Sequence, residues 1–189
     1  MVTTINEESY RSYINNIIKE FNDKTVNIPY SNVLFEKNET HRTFLSYIWN
    51  KTKSPCVVFM LNPSSATSDK DDKTTKILKE RLKNNGYGGV HILNLYTHIC
   101  GNSNNNEIKK DKLDNYDTVL NNILDSFQSI NLDIIYAWGC KGKEPKTFKN
   151  KVLNPLCFGT LTNGHPRHPN PRPINDYPID TQLISYRQN

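Results

Sequence analysis

Four stretches of this 189-residue chain place polar or conformationally fixed residues directly after apolar runs: Asn62-Pro63-Ser64-Ser65, Asn94-Leu95-Tyr96, Trp138-Gly139 and, further on, Gly164-His165-Pro166-Arg167-His168-Pro169. Pro63 fixes one backbone dihedral, withholds a donor and pushes Asn62 into an extended conformation. The Asn62 amide is therefore aimed rigidly, with one acceptor and two donors. Such a group can orient a water or a substrate edge, or it can merely close a strand through an Asx-type turn. Asp69, Asp71 and Asp72 follow just before Thr74 and Thr75. One of them is expected to cap a helix, and a carboxylate facing a crevice could bind a cation or act as a general base, Asp72 being the better placed to reach back toward Asn62.

Asn94 stands where an apolar strand residue is expected, so its amide either reads a ligand or satisfies backbone groups. Tyr96 could stack on a planar ligand, and Trp138 is either core or pocket lining. The proline-stiffened stretch holds His165, Arg167 and His168 as preorganised donors, suited to developing negative charge or a phosphate. A zinc site on His165 and His168 lacks further clustered ligands, and an exposed loop without function is the plain alternative. No metal or other cofactor is expected.

The elements that would position these groups follow from periodicity. Residues from about Asn6 to Phe21 carry Tyr10, Tyr13, Ile14, Ile17, Ile18 and Phe21 at helical spacing. Val33-Leu34-Phe35 and Arg42 to Trp49, joined by a polar connector, read as an antiparallel hairpin set against a main sheet. Cys56 to Leu61 is a continuous apolar run, as expected for a strand covered on both faces. A helix over Lys73 to Asn85, stopped by Gly86-Tyr87-Gly88-Gly89, leads to a second strand, Val90 to Leu95. A helix over Leu113 to Phe127, a strand over Asp133 to Trp138, the basic connector Lys141 to Lys146, a short helix up to Leu153 and a strand over Leu156 to Gly159 repeat the pattern. The proline-rich segment from Gly164 to Pro178 is expected to lie extended.

This alternation predicts a single domain over 1–189: an N-terminal helix and β-hairpin over 1–54, an α/β core over 55–172 and a tail over 173–189. The core is expected to be three-layer α/β/α around a short four-stranded, mostly parallel sheet. Loops leaving the carboxyl ends of such strands gather into a ligand crevice. The formal net charge of +5 is compatible with a polyanionic partner without demanding one. The four cysteines, at 56, 100, 140 and 157, show no Cys-x-x-Cys pairing, which argues against a zinc site, an iron–sulfur cluster or a disulfide framework. The N-terminus carries no signal-peptide pattern, and no stretch approaches about eighteen apolar residues, so a cytoplasmic protein without a membrane span is expected.

Met60-Leu61-Asn62-Pro63-Ser64-Ser65-Ala66, Asp71-Asp72-Lys73-Thr74, Gly86-Tyr87-Gly88-Gly89, Asn94-Leu95, Ala137-Trp138-Gly139 and His168-Pro169, together with Arg42, Leu45 and Trp49, resemble the bacterial and phage family DUF1643 over roughly residues 30 to 172. More distantly, the order of elements resembles the uracil-DNA glycosylase superfamily. There Asn62-Pro63 matches the Asn-Pro of a first motif of the Gly-x-Asn-Pro-Gly type, Asn94 a base-reading Asn, and His168-Pro169 a His-Pro-Ser motif. Leu61 stands where those enzymes have a Gly, and His168-Pro169-Asn170 lacks the Ser and the intercalating Leu. The resemblance implies a DNA glycosylase-like hydrolase. In it, Asn62 with Asp72 positions a water, His168 stabilises the departing base, Tyr96 or Trp138 stacks, and Arg167 and Lys141 meet phosphates, with Pro63, Ser64, Gly139 and His165 lining the site. A non-catalytic module binding a nucleotide or nucleic acid in the same crevice, and a mobile-element protein-interaction factor on the same scaffold, are the alternatives.

Overall fold

The computed structural model describes residues 30–36 (as backbone), 40–67, 69–100, 111–171 and 177–187, with Ser12, Asn15 and Asn16 before them. The expected N-terminal helix, the Asn-rich loop after Gly101 and part of the proline-rich segment lie outside the described residues. Among those described, the elements run β1 (Tyr30–Glu36), β2 (His41–Ile48), β3 (Pro55–Met60), α1 (Lys73–Asn84), β4 (Gly89–Asn94), α2 (Tyr116–Ser129), β5 (Ile134–Tyr136), α3 (Lys146–Lys151), β6 (Leu156–Cys157) and β7 (Ile184–Ser185). No helix among them is long and apolar enough to cross a membrane.

The sheet is mixed and seven-stranded, in the order β1-β2-β4-β3-β5-β6-β7, rather than the expected four strands. Strands β4, β3, β5 and β6 run parallel to one another, β2 joins β4 antiparallel, and β7 joins β6 antiparallel. The hairpin is thus no appendage. All eight residues of β2 are buried, including His41, Arg42, Thr43 and Ser46, because β2 is an interior strand between β1 and β4.

Strand parity sorts the core into two. Val57, Phe59, Leu93 and Ile134 pack with Tyr116, Val119, Leu120, Ile123, Leu124 and Phe127 of α2 and with Phe148 of α3. Cys56, Val58, Met60, Val90 and Ile92 pack with Leu78 and Leu82 of α1 and with Tyr177. Successive strand side chains point to opposite faces, so α1 covers one face and α2 and α3 the other.

Helix α1 starts at Asp72, whose Oδ1 accepts from the Thr75 amide at 2.7 Å. It stops at Asn85 and at Gly86, whose φ of +87° suits glycine. Gly88 is required for a different reason: a Cβ there would lie 2.0 Å from the Asn50 carbonyl oxygen and 2.3 Å from that of Lys53.

The proline-rich tail is held by one buried cation. Arg81, 1% exposed on α1, donates from Nε to the Pro169 carbonyl at 2.8 Å and from Nη2 to that of Tyr177 at 2.9 Å, while Nη1 reaches the Pro178 carbonyl. Its guanidinium also stacks over the Tyr177 ring at 3.9 Å. One turn later Asn85 donates to the Thr181 carbonyl and accepts from the Leu183 amide. Held in this way, the segment delivers β7 to the sheet edge.

His91 is the polar exception inside β4. Its ring is stacked between Phe44 and Phe127, and Nδ1 lies 2.9 Å from the Ser46 hydroxyl. Burial lowers its pKa to about 4.

Two outcomes are expected. Arg81→Met leaves three carbonyls without their donor and costs about 3 kcal/mol, read as a lower urea midpoint at unchanged slope; a loss below about 1 kcal/mol would contradict the clamp. For His91, the folded state disfavours the proton that the unfolded chain takes up near its ordinary pKa of 6.5. Its stability contribution is therefore complete above that pH and shrinks as pH falls toward about 4, by about 3 kcal/mol in all. In His91→Leu that acid slope should flatten, whatever the variant's absolute stability.

Candidate functional site

Register fixes which loops meet. Met60 lies beside Asn94 and Phe59 beside Tyr136, and the ladder continues one step further, with Leu95 N donating to Met60 O, Tyr96 N to Leu61 O and Ala137 N to Phe59 O. The parallel strands therefore release Asn62, Tyr96 and Trp138 at one edge of the sheet. The chain leaves β3 for β4 on one side and returns to β5 on the other, so this edge is a topological switch point.

Asn62 is half-buried and donates from Nδ2 to the His98 carbonyl at 3.3 Å. Pro63 is buried and accepts from the Cys100 amide, tying the loops after β3 and β4 together. Ser64 offers its carbonyl to Arg42 Nη1 at 3.2 Å, and Ala66 does so at 2.5 Å. Arg42 is 2% exposed, and burial lowers its pKa to about 10 against the pull of Tyr47 and Asp72, which leaves it cationic at neutral pH.

Asp72 caps α1 and lies near enough to Arg42 and His168 for its charge to raise the pKa of each against the effect of burial. Asp71 is committed elsewhere, to Lys79 Nζ at 2.5 Å. His168 follows a tight turn built by Arg167 N donating to Gly159 O and Leu161 N to His165 O, each at 2.8 Å. This short hairpin stands where the sequence suggests only extended chain, because Gly159 and Gly164 take positive φ of 111° and 79°. Burial lowers the His168 pKa, partly opposed by a hydrogen bond to Asn170 and by Asp72. Its Nδ1 lies 3.2 Å from both the amide nitrogen and the carbonyl oxygen of Asn170. Gly139, at φ +74°, sits against it: a Cβ there would lie 3.5 Å from the His168 Cβ.

Asn94 ends β4 at 1% exposure. Its backbone carbonyl accepts from the Tyr116 hydroxyl at 2.8 Å, but neither Oδ1 nor Nδ2 of its amide bonds to any described residue.

Other expected residues go elsewhere. Trp138 is 2% exposed in the core, its ring 4.4 Å from that of Tyr136 and crossed by Gly142. Tyr96 lines a groove of about 380 Å³ with Lys112, Asn121, Lys143, Lys146 and Phe148. Lys141 is exposed. His165 is half-buried, its amide donating to Asn163 Oδ1. Arg167 braces the tail, donating to the Thr160 carbonyl and lying 5.5 Å over the Tyr177 ring. His165 and His168 form no ligand cluster among the described residues; the group whose ligand atoms converge is His41, His98 and Asp111. Arg42 was not among the expected site residues, although a charged residue within an apolar strand run was its available signal.

Substitution of Asp72 separates its two roles. Asn is as good an N-cap as Asp, whereas Ala costs about 1 kcal/mol. Asp72→Asn should therefore keep the melting temperature while the His168 pKa falls further, followed by NMR titration of its ring protons. An unchanged His168 titration would show that the carboxylate does not act on the imidazole.

The chain matches the family model described as "Protein of unknown function (DUF1643)" over residues 42–170. No curated protein and no solved structure matches it. The match begins at Arg42 and ends at Asn170, taking in the whole crevice from the buried guanidinium to the His168 hairpin, and the chain belongs to the DUF1643 family.

Proposed function

We propose that this chain hydrolyses the N-glycosidic bond of an unusual base in DNA, on a three-layer α/β/α scaffold of the uracil-DNA glycosylase kind. The observation that carries the reading is the Asn94 amide, buried at a strand end with both polar atoms unbonded to the described residues. Each unmade bond costs about 1–3 kcal/mol, and a base edge presenting one donor and one acceptor satisfies both.

In the proposed reaction the target base leaves the stack and lies against Asn94. The Asn62 amide, fixed through Nδ2 by the His98 carbonyl, positions a water at the anomeric carbon. The C–N bond breaks with its electron pair going to the base, the water oxygen bonds to carbon, and its proton passes to the Asp72 carboxylate. His168, whose pKa burial lowers, would take the tautomer that accepts the Asn170 amide on Nδ1 and donate from Nε2 to the departing base. The exposed Lys141 meets a backbone phosphate, in keeping with the net positive charge, while Arg167 stays on the Thr160 carbonyl and the Tyr177 ring.

A second reading, nucleotide or nucleic-acid binding without chemistry, is favoured by the groove that sets the Tyr96 ring beside Lys143 and Lys146, although Asp117, paired with Lys112, and Glu144 line it too.

Incubation with oligonucleotides carrying a panel of deaminated and modified bases, followed by alkaline cleavage, tests the proposal. Strand breaks are expected for at least one base. Asn62→Ala and His168→Ala should each lose about a hundredfold or more while keeping the native circular dichroism. Salt-dependent binding without breaks selects the second reading. Neither binding nor breaks removes both and leaves the protein-interaction role.

A further inference from the structure

We infer that His41, His98 and Asp111 form a binding site for a divalent transition-metal ion, zinc being the best match to two imidazoles and a carboxylate. One ligand atom from each of these residues lies within 4.8 Å of the other two, and His41 Nε2 stands 3.8 Å from Asp111 Oδ2. Ligand atoms around tetrahedral zinc are about 3.3 Å apart at bonds of about 2.0–2.1 Å. Closure therefore needs about 1 Å of adjustment, and Asp111, whose side chain is 55% exposed, is free to make it.

The surroundings orient the ligands. The Thr97 hydroxyl donates to the Asp111 carbonyl at 3.5 Å and accepts from the Leu113 amide at 3.1 Å. A lone pair is left for the proton on His41 Nδ1, 2.8 Å away. In the tautomer where His41 Nδ1 donates to that hydroxyl, Nε2 would carry its lone pair toward Asp111, the arrangement that metal-ligating histidines adopt. The His98 ring meets that of His41 edge-on at 5.2 Å, and its Nδ1 is buried with no hydrogen bond from the described residues. The backbone brings the ligands together by a bridge between His41 and His98 and by the Thr97 and His98 amides donating to the Asp111 carbonyl.

Three protein ligands leave a fourth position for water or another group. The ion would pin the start of β2 to the loop after β4. The same loop holds Asn62 through the His98 carbonyl, so metal binding would stiffen the crevice wall. The inference does not rest on glycosidic hydrolysis.

The test is direct metal binding by the full chain. After chelator treatment and reloading, about one Zn²⁺ per chain is expected by atomic emission, and Co²⁺ should give visible d–d bands of tetrahedral or five-coordinate geometry. Asp111→Asn, at an exposed position, and His98→Gln should each weaken Zn²⁺ binding at least about tenfold with the circular dichroism spectrum unchanged, whereas His165→Gln should bind as the parent does. His41 is too buried to serve as the test. Failure of the parent chain to bind either ion, or equal binding by the Asp111→Asn His98→Gln double variant, overturns the site. Neither result bears on base excision.

Discussion

A single buried cation organises the part of the molecule that matters. Arg81 sits on the last turn of α1 with its donors on the carbonyls of Pro169, Tyr177 and Pro178. None of these acceptors is a carboxylate. The guanidinium is solvated by backbone dipoles instead of water, and burial accordingly lowers its pKa. A proline-rich segment has few amides of its own to anchor with, so carbonyls must carry its attachment. The Pro169 carbonyl is one residue beyond His168, and helix α1 begins at Asp72, whose charge acts on that imidazole. The same helix therefore supplies a carboxylate at its start and a clamp at its end for one histidine.

The sheet imposes the complementary constraint. Because β3 lies between β4 and β5, residues far apart in sequence emerge side by side at its carboxyl edge. Joining β2 to β4 on the other side introduces Arg42 into this edge from below, with its charge on the Ser64 and Ala66 carbonyls. Arg42 thus stands at this edge as a fixed cation, and Asp72, engaged by the start of α1, lies near enough for its charge to act on it.

What could be read in the sequence was whatever local pattern determines. Runs such as Cys56 to Leu61 declare strands buried on both faces, and Ile77, Leu78 and Leu82 at helical spacing declare α1 to within a residue of its observed end. The role of Asp72 as helix cap was within reach of its position alone. Long-range pairing was not: nothing in Arg42 to Trp49 states that its partner is β4, and a two-residue strand such as β7 has no periodicity to detect. No local pattern marks Arg81, because its acceptors lie 88 to 97 positions away. His41, His98 and Asp111 share no short motif for the same reason. Trp138 was poised between core and pocket, and the close approach of Gly142 together with the Tyr136 ring decides for the core.

The Asn94 amide then stands out on energetic grounds. An apolar residue of similar size at that strand end would pack against Met60 and Ile92 without an unmet polar atom. Retaining the amide with neither end bonded to a described residue costs an amount comparable with a sizeable fraction of a typical domain's 5–15 kcal/mol margin. Such a cost falls only on the form in which nothing meets the amide; a partner offering complementary donor and acceptor removes it. A partner lacking either group leaves one atom buried and unmet, and this penalty is how a rigid polar site rejects near-isosteres by far larger factors than an apolar pocket can. Burial at the strand end, with the Tyr116 hydroxyl holding the Asn94 backbone carbonyl, keeps the amide from turning out to water.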